Sequence, residues 1–431
     1  MRWKPYPSYK DSGVKWLGKV PGHWRLGRLK QTIDSIKNGI WGEEPEGKSD
    51  YWCVRVADFD RIGLSVSKEQ QTMRSAPQHQ LHTRLLNPYD LLIEKSGGGD
   101  LQPVGTVVWF PFSARAACSN FIARIETKSA FDPRFLVYFH HHLYNSRVNT
   151  RSIKQTTGIQ NLDAESYFNE PAIYPPKKEQ EKIASFLDHE TNRIDTLISK
   201  KQHQIELLEE KGIALIIHTV TRGLNPDVRR KDPGVEWLRE VPEHWEIRQL
   251  KYVTECLDRK RIPLNAEQRW EMQGEYPYWG ANGILDYVND WLFDEELVLL
   301  GEDGAPFCDR SKPVAFLVTG KVWVNNHIHV LRPHNLIDPL FLTFSLNSID
   351  YSPYIEGTTR DKLTQSAMNT IPVPYPPISE QKTIASFLDR ETGRIHALTE
   401  KIRQSIEALG EYRSALITAA VTGQIDVREE A

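Results

Sequence analysis

Internal repetition constrains this chain more than any other feature. Residues 10–30, KDSGVKWLGKVPGHWRLGRLK, return at 231–251 as KDPGVEWLREVPEHWEIRQLK, with twelve of twenty-one positions identical at a shift of 221. Residues 175–198, PPKKEQEKIASFLDHETNRIDTLI, return at 376–399 as PPISEQKTIASFLDRETGRIHALT, with fifteen of twenty-four identical at a shift of 201. The shifts differ by 20, so residues 25–174 and 246–375 differ by 20 in length, and the two segments share only patchy similarity. Drift alone erodes all segments alike. Sharp alternation of same and different implies one duplicated scaffold carrying two inserts that each recognise something different. The resulting plan is a tag (1–24), an insert (25–175), a helix (176–223), a second tag (224–245), a second insert (246–376) and a second helix (377–425).

The second repeated block has the period of a long helix. Steps of four and three from Ile384 reach Leu388, Glu391, Ile395, Leu398, Ile402 and Leu409, and the first copy gives Ile183, Leu187, Glu190, Ile194 and Leu197. A repeat of 3.5 residues marks a coiled-coil seam, so these leucines and isoleucines are the expected helix-pair interface. Glu190 and Glu391 fall at matching places, where they either set register or lie on a solvated edge. Each helix starts after a double proline, Pro175-Pro176 or Pro376-Pro377, and ends near Gly223 or Gly423. About 45 residues at 1.5 Å each make a rod of about 65 Å. Two equivalent helices in one chain pair most simply antiparallel, about a pseudo-two-fold axis.

Each insert reads as a mixed α/β domain. Strands are expected at 51–56, 91–94 and 104–110, and at 297–300, 314–318 and 322–330, with short helices after Asp-Pro at 133–147 and 338–348. Just before each long helix lies a polar loop, RSIKQTTGIQN at 151–161 and EGTTRDKLTQ at 356–365. Such side chains reach base edges and phosphates. The candidate contacts to a polyanion are therefore Lys154, Gln155, Thr156, Thr157, Gln160 and Asn161, with Thr358, Thr359, Arg360 and Lys362. An ordinary polar loop is the alternative at each position. The basic run 258–262 (DRKRI) reads as a solvated face more than a binding site, and Tyr276, Tyr278 and Trp279, which could stack on a base, read rather as buried aromatics beside a turn.

Catalytic motifs fail on context. Residues 42–49, GEEPEGKS, match the P-loop pattern, but Glu43, Glu44 and Glu46 would repel phosphate and a strand-like segment follows where a helix is needed. His140, His141 and His142 sit on a helix and diverge around its axis; His327 and His329 could share one strand face but lack a third ligand. Glu94 and Lys95 in DLLIEK point apart. Four scattered cysteines without CxxC spacing read as reduced thiols. No apolar run approaches 18 residues and the first thirty lack an apolar signal region, so neither a spanning helix nor a signal peptide is expected, and the reduced thiols point to a cytoplasmic protein. With 54 basic against 57 acidic residues the chain is no polycation, so any nucleic-acid contact comes from local patches.

The duplicated GV(K/E)WLxxVPxHW tag, the EQxxIASFLDxET helix and the phrases YPYWGANG and KNGIWGEEPEGKSDYW resemble the specificity subunit of type I restriction–modification enzymes, over nearly the whole chain. That resemblance implies two target-recognition domains of mixed α/β fold, separated by two long antiparallel coiled-coil helices. Each domain would read one half of a split, asymmetric DNA site, and the helices would set the gap and dock two methyltransferase subunits. Restriction and translocase subunits would join them. It also implies no catalysis by this chain and no cofactor of its own, with S-adenosylmethionine, ATP and Mg on the partners. A recognition fragment of a fused restriction enzyme or methyltransferase would need a catalytic motif that is not found, and a purely structural coiled-coil scaffold would not need two divergent inserts.

Overall fold

The structure is a computed structural model that describes residues 3–47, 50–156, 158–356 and 361–429, without the side chain of Thr156. The chain forms two compact units: Met1–Ser199 with Ile406–Ala431, and Lys200–Ser405. No helix among the described residues is long and apolar enough to cross a membrane.

In the first unit a six-stranded sheet has the order 33–38, 122–127, 91–94, 107–109, 65–66, 59–60. Its central strand Leu91–Glu94 is buried along its whole length, as expected of a run of branched apolar residues covered on both faces. A smaller sheet pairs Ala116–Cys118 parallel to Asp50–Val54. Helix Pro133–Asn145 packs beneath. Asp132 caps it by accepting from the amides of Arg134 and Phe135 at 2.9 and 3.0 Å, and Pro133 occupies the first turn.

The second unit repeats this plan. Its main sheet runs 254–256, 328–333, 297–301, 315–318, the order of the first unit's first four strands. Leu297–Gly301 is again buried throughout, and Gln273–Gly280 pairs parallel to Lys321–Val324. Asp338 caps helix Pro339–Leu346 through the Phe341 amide at 2.9 Å. Inserts that share little sequence thus share a topology. The expected strand 322–330 is in fact two strands, broken at Asn325, Asn326 and His327, so His327 lies in the turn and only His329 on a strand. The Asn325 side chain accepts from the His327 amide at 2.8 Å and makes that break.

The two long helices span Lys177–Arg222 and Ile378–Val421, 46 and 44 residues. Gly223 and Gly423 end them in the left-handed conformation, with φ of +72° and +73°. In the first unit Lys182 reaches the Arg428 carbonyl and Asp195 pairs with Arg413 at 2.9 Å. One number rises as the other falls, so the pairing is antiparallel. In the second unit Glu209 pairs with Arg403 at 3.2 Å, and a Cβ on Gly212 would lie 3.7 Å from Ile395, again antiparallel. Of the expected seam, Ile183, Leu187, Ile194, Ile384, Leu388 and Ile402 are buried, and Ile395 and Leu409 half-buried.

Leu197 and Leu398 are corrections: they are 43% and 42% exposed. The seam takes a step of four after Ile194 and Ile395, to Ile198 and Thr399. A step of three there falls short of the stripe in both copies, because 3.6 residues per turn drifts against a 3.5 repeat. Glu190 and Glu391 sit beside the seam, each paired with an arginine three residues on, Arg193 at 2.8 Å and Arg394 at 3.0 Å. The last residues of the chain, Leu416, Ile417, Ala420, Val421, Ile425 and Val427, belong to the core of the first unit alongside Trp24, Leu136 and Ile183.

Candidate nucleic-acid interface

The repeated motifs build the base of each site. In the first unit Glu179, almost wholly buried, accepts from the Trp24 indole at 2.9 Å and the Tyr6 hydroxyl at 2.7 Å, with His23 Nε2 at 2.8 Å. Gln180 accepts from the Asp132 amide at 2.9 Å and donates to the Pro175 carbonyl at 2.9 Å. In the second unit Glu380 meets His244 at 2.9 Å, and Gln381 bonds the Asp338 amide and the Pro376 carbonyl at 2.8 and 2.7 Å. The Glu-Gln dipeptide therefore bolts the tag, the insert helix and the long helix together. The sequence shows this dipeptide and the tag repeating together, but only the fold shows that they touch.

Above this base, the first unit's central strand runs into Lys95 and the strand Ser96–Gly97. Gly97 and Gly98 have φ of +119° and +60°, and a Cβ on Gly98 would lie 2.8 Å from the Val104 nitrogen. Only glycine fits such a turn without strain. Ser96 and Gly97 pair with Asn161 and Gln160. Residues 151–161 are thus mostly a β-hairpin rather than a loop: Ile153–Thr156 faces Ile159–Leu162. In the second unit the corresponding pair is Ile355–Glu356 with Lys362–Leu363. It abuts Glu302, Asp303 and Gly304, where Gly304 donates to the Asp361 carbonyl at 3.0 Å and Asp303 bridges to Lys362.

The candidate contacts divide accordingly. Gln155 and Asn161 are exposed on the first pair. Lys154 is exposed and ion-paired with Asp163 at 2.6 Å, which raises its pKa. Thr156 lies in the strand. Gln160 is a correction: a strand alternates its faces, so Gln160 turns inward, is buried, and accepts from the Val104 amide at 3.3 Å. Lys362 is exposed beside Glu302 at 3.6 Å. Thr157, Thr358, Thr359 and Arg360 lie outside the described residues.

The remaining motifs are structural. Burial pushes the Glu94 and Asp90 carboxyls up, and each meets an arginine, Arg61 at 2.9 Å and Arg124 at 2.6 Å. Lys95 points outward to Asn38 at 2.6 Å. In the P-loop-like stretch the amides of Glu46 and Gly47 are taken by the Asp50 carboxylate at 2.9 Å; Lys48 and Ser49 lie outside the described residues. Burial lowers His140, His141 and His142 to about 4; His140 bonds the Tyr167 hydroxyl and His142 that of Thr418. Tyr278 is buried and its hydroxyl accepts from the Leu264 amide. In the basic run, Arg259 and Lys260 are exposed while Arg261 turns in to Glu302 at 2.6 Å and Asp258 at 3.3 Å. His329 joins Asp258 and Glu302 in one cluster, an arrangement its position in the sequence does not announce.

The family described as Type I restriction modification DNA specificity domain matches residues 55–207 and 242–408. Over 440 residues the chain is 22% identical to the putative type I restriction enzyme MjaX specificity subunit of Methanocaldococcus jannaschii, covering 97% of this chain and 98% of that one. A stretch of 147 residues is 35% identical to the putative specificity subunit S.HindORF215P of Haemophilus influenzae, covering 34% of this chain and 37% of that relative's length. A chain from a solved structure concerning complex assembly and conformational transition of the type I R-M system superposes with a TM-score of 0.72 at 14% identity, over 93% of this chain and 98% of its own. The HsdS subunit of Thermoanaerobacter tengcongensis superposes with a TM-score of 0.55 at 16% identity, over 96% and 100%. These two likenesses show a shared fold.

Proposed function

The chain belongs to the type I restriction modification DNA specificity family, with two target-recognition domains, and from that premise we infer that each domain reads one half of a bipartite, asymmetric double-stranded DNA site. The observation that carries this reading is the contrast between the two β-pairs. Both sit beside the same turn of the same sheet order, yet the first displays Lys154, Gln155 and Asn161 and the second Glu356 and Lys362. An identical mount with different side chains gives each half-site its own pattern of donors and acceptors. The long helices fix the unread gap and dock two methyltransferase subunits, and restriction and translocase subunits complete the assembly. In this reading the chain supplies recognition while S-adenosylmethionine, ATP and Mg sit on those partners.

Replacing residues 246–375 with the corresponding insert of another family member tests this directly. Genome-wide mapping of methylated adenines in a host carrying the assembled enzyme is expected to show one changed half-site and one retained half-site at the same spacing. Both half-sites changing together, or neither, would refute the assignment.

A further inference from the structure

Hydrogen bonds match the edges of the two domains residue for residue. The Lys95 and Ser96 amides donate to the Phe121 carbonyl at 2.8 and 3.3 Å, and the Glu302 and Asp303 amides donate to the His327 carbonyl at 3.0 and 3.3 Å. The Leu162 amide donates to the Lys95 carbonyl at 2.8 Å, and the Leu363 amide to the Glu302 carbonyl at 2.7 Å. Phe121 therefore stands where His327 stands, and Leu162 where Leu363 stands. One residue earlier on the same strands, Asn161 matches Lys362. With the backbones so alike, a difference in side chains at these places is a difference in what each edge offers a ligand.

The first edge displays apolar side chains. Leu101 is 91% exposed, Ile159 52% and Phe121 46%. All three surround strand Ser96–Gly97. The Phe121 carbonyl holds the start of that strand, and Ile159 adjoins Gln160, which pairs with Gly97. Leu101 occupies the turn that the Gly99 amide closes on the Gln102 carbonyl at 3.0 Å. The returning limb is pinned, because the Tyr144 hydroxyl donates to the Pro103 carbonyl at 2.9 Å and the Asn149 side-chain amide to the Val104 carbonyl at 2.7 Å. Single exposed leucines are commonplace. Three exposed apolar side chains around one two-residue strand, beside the amides of Gln155 and Asn161, are a surface of distinct chemistry.

The second edge is charged at the matching places. His327 replaces Phe121 and pairs with Asp303 at 3.1 Å, and Lys362 replaces Asn161 and lies 3.6 Å from Glu302. His329 Nε2 holds the Leu363 carbonyl at 2.8 Å. Ala305 and Phe307 are buried, and among the described residues 302–307, 355–356 and 361–363 no large apolar side chain is exposed. A phosphate offers nothing to leucine, isoleucine or phenylalanine. In the major groove an A·T pair presents an adenine donor and acceptor, which an Asn or Gln amide meets together, and the thymine C5-methyl, which an apolar side chain meets.

We propose that the first domain reads A·T pairs of its half-site through thymine C5-methyl groups, with Leu101, Phe121 and Ile159 as the apolar contacts, and that the matching edge of the second domain does not. This rests on the assignment of the β-pairs to DNA. The test uses the full chain in the assembled enzyme, on duplexes carrying both half-sites as mapped from the methylated genome. Each thymine is replaced in turn by deoxyuridine, which removes the methyl group and keeps the base pair, and binding is measured by competition. At least one replacement in the first half-site is expected to weaken binding about fourfold, the worth of one buried methyl-sized group, with no loss from replacements in the second. Leu101→Ala, Phe121→Ala and Ile159→Ala alter exposed side chains, where folding is little affected. In at least one of them the thymine and deoxyuridine duplexes should bind equally. A penalty that persists in all three variants would overturn the proposal, as would equal sensitivity of the two half-sites. So would a first half-site with no thymine besides the partner of the methylated adenine. Gln155→Ala and Asn161→Ala separate the two levels of the reading. If they relax discrimination at the first half-site while deoxyuridine has no effect, the β-pair reads DNA and the methyl contact is wrong. If neither the variants nor deoxyuridine has an effect, the assignment of this edge to DNA fails as well.

Discussion

Removing the Glu179 carboxylate should destabilise the first unit far more than removing Glu380 destabilises the second, although the two occupy the same position in the repeated EQxxIASFLD motif. In Glu179→Ala two buried donors, the Trp24 indole and the Tyr6 hydroxyl, lose their acceptor. Each orphaned donor costs about 1–3 kcal/mol, so the pair costs roughly 3–5 kcal/mol. Among the described residues the Glu380 carboxylate bonds His244, with side chains 29% and 47% exposed, and the Trp245 indole nitrogen has no partner. An exposed pair of this kind is worth about 1 kcal/mol at most. At about 2–4 °C per kcal/mol for a unit of this size, Glu179→Ala should lower the first unit's melting temperature by about 10 °C. Glu380→Ala should move the second unit's by about 4 °C or less. Thermal unfolding followed by hydrogen exchange, read separately over each unit, measures both. Comparable losses in the two variants would show that motif identity, not the local bonds, sets the cost.

The seam correction predicts that Leu197→Ala and Leu398→Ala change stability by about 0.5 kcal/mol or less, whereas Ile198→Ala costs about 1–2 kcal/mol; urea titration distinguishes them, and equal losses would restore the original register. Acid should weaken the first unit selectively. His140, His141 and His142 are held down to about 4 by burial, so between about pH 6.5 and pH 4 the unfolded chain binds protons that the folded unit does not. Stability is then full above pH 6.5 and falls as the pH drops through that window. An unfolding midpoint for the first unit that stays level over this range would contradict the buried, neutral assignment.

Much of the scaffold is legible in the sequence because periodicity and capping are local. The double prolines, the terminal glycines and the Asp-Pro helix starts each act within a turn of where they stand. Leu197 escaped because a count in steps of four and three cannot tell where a step of four replaces one of three; only the partner helix decides. Gln160 escaped for a related reason. A polar run read as a loop has every side chain available, but paired against Ser96 and Gly97 it becomes a strand, and half of it turns inward. His329 was the least visible, since Asp258, Glu302 and Leu363 lie far from it in the chain and meet it only through sheet pairing. What brings such distant residues together is sheet pairing, and no local pattern encodes that.

The placement of the chain's last turns has a consequence for damaged genes. A stop codon just after residue 405 would spare everything that builds the second unit while stripping Leu416, Ile417, Ala420, Val421, Ile425 and Val427 from the hydrophobic interior of the first. Loss of these residues would thus be felt far away in the sequence, around Trp24 and Ile183. The ribosome, too, must deliver residues 416–427 before that core can close.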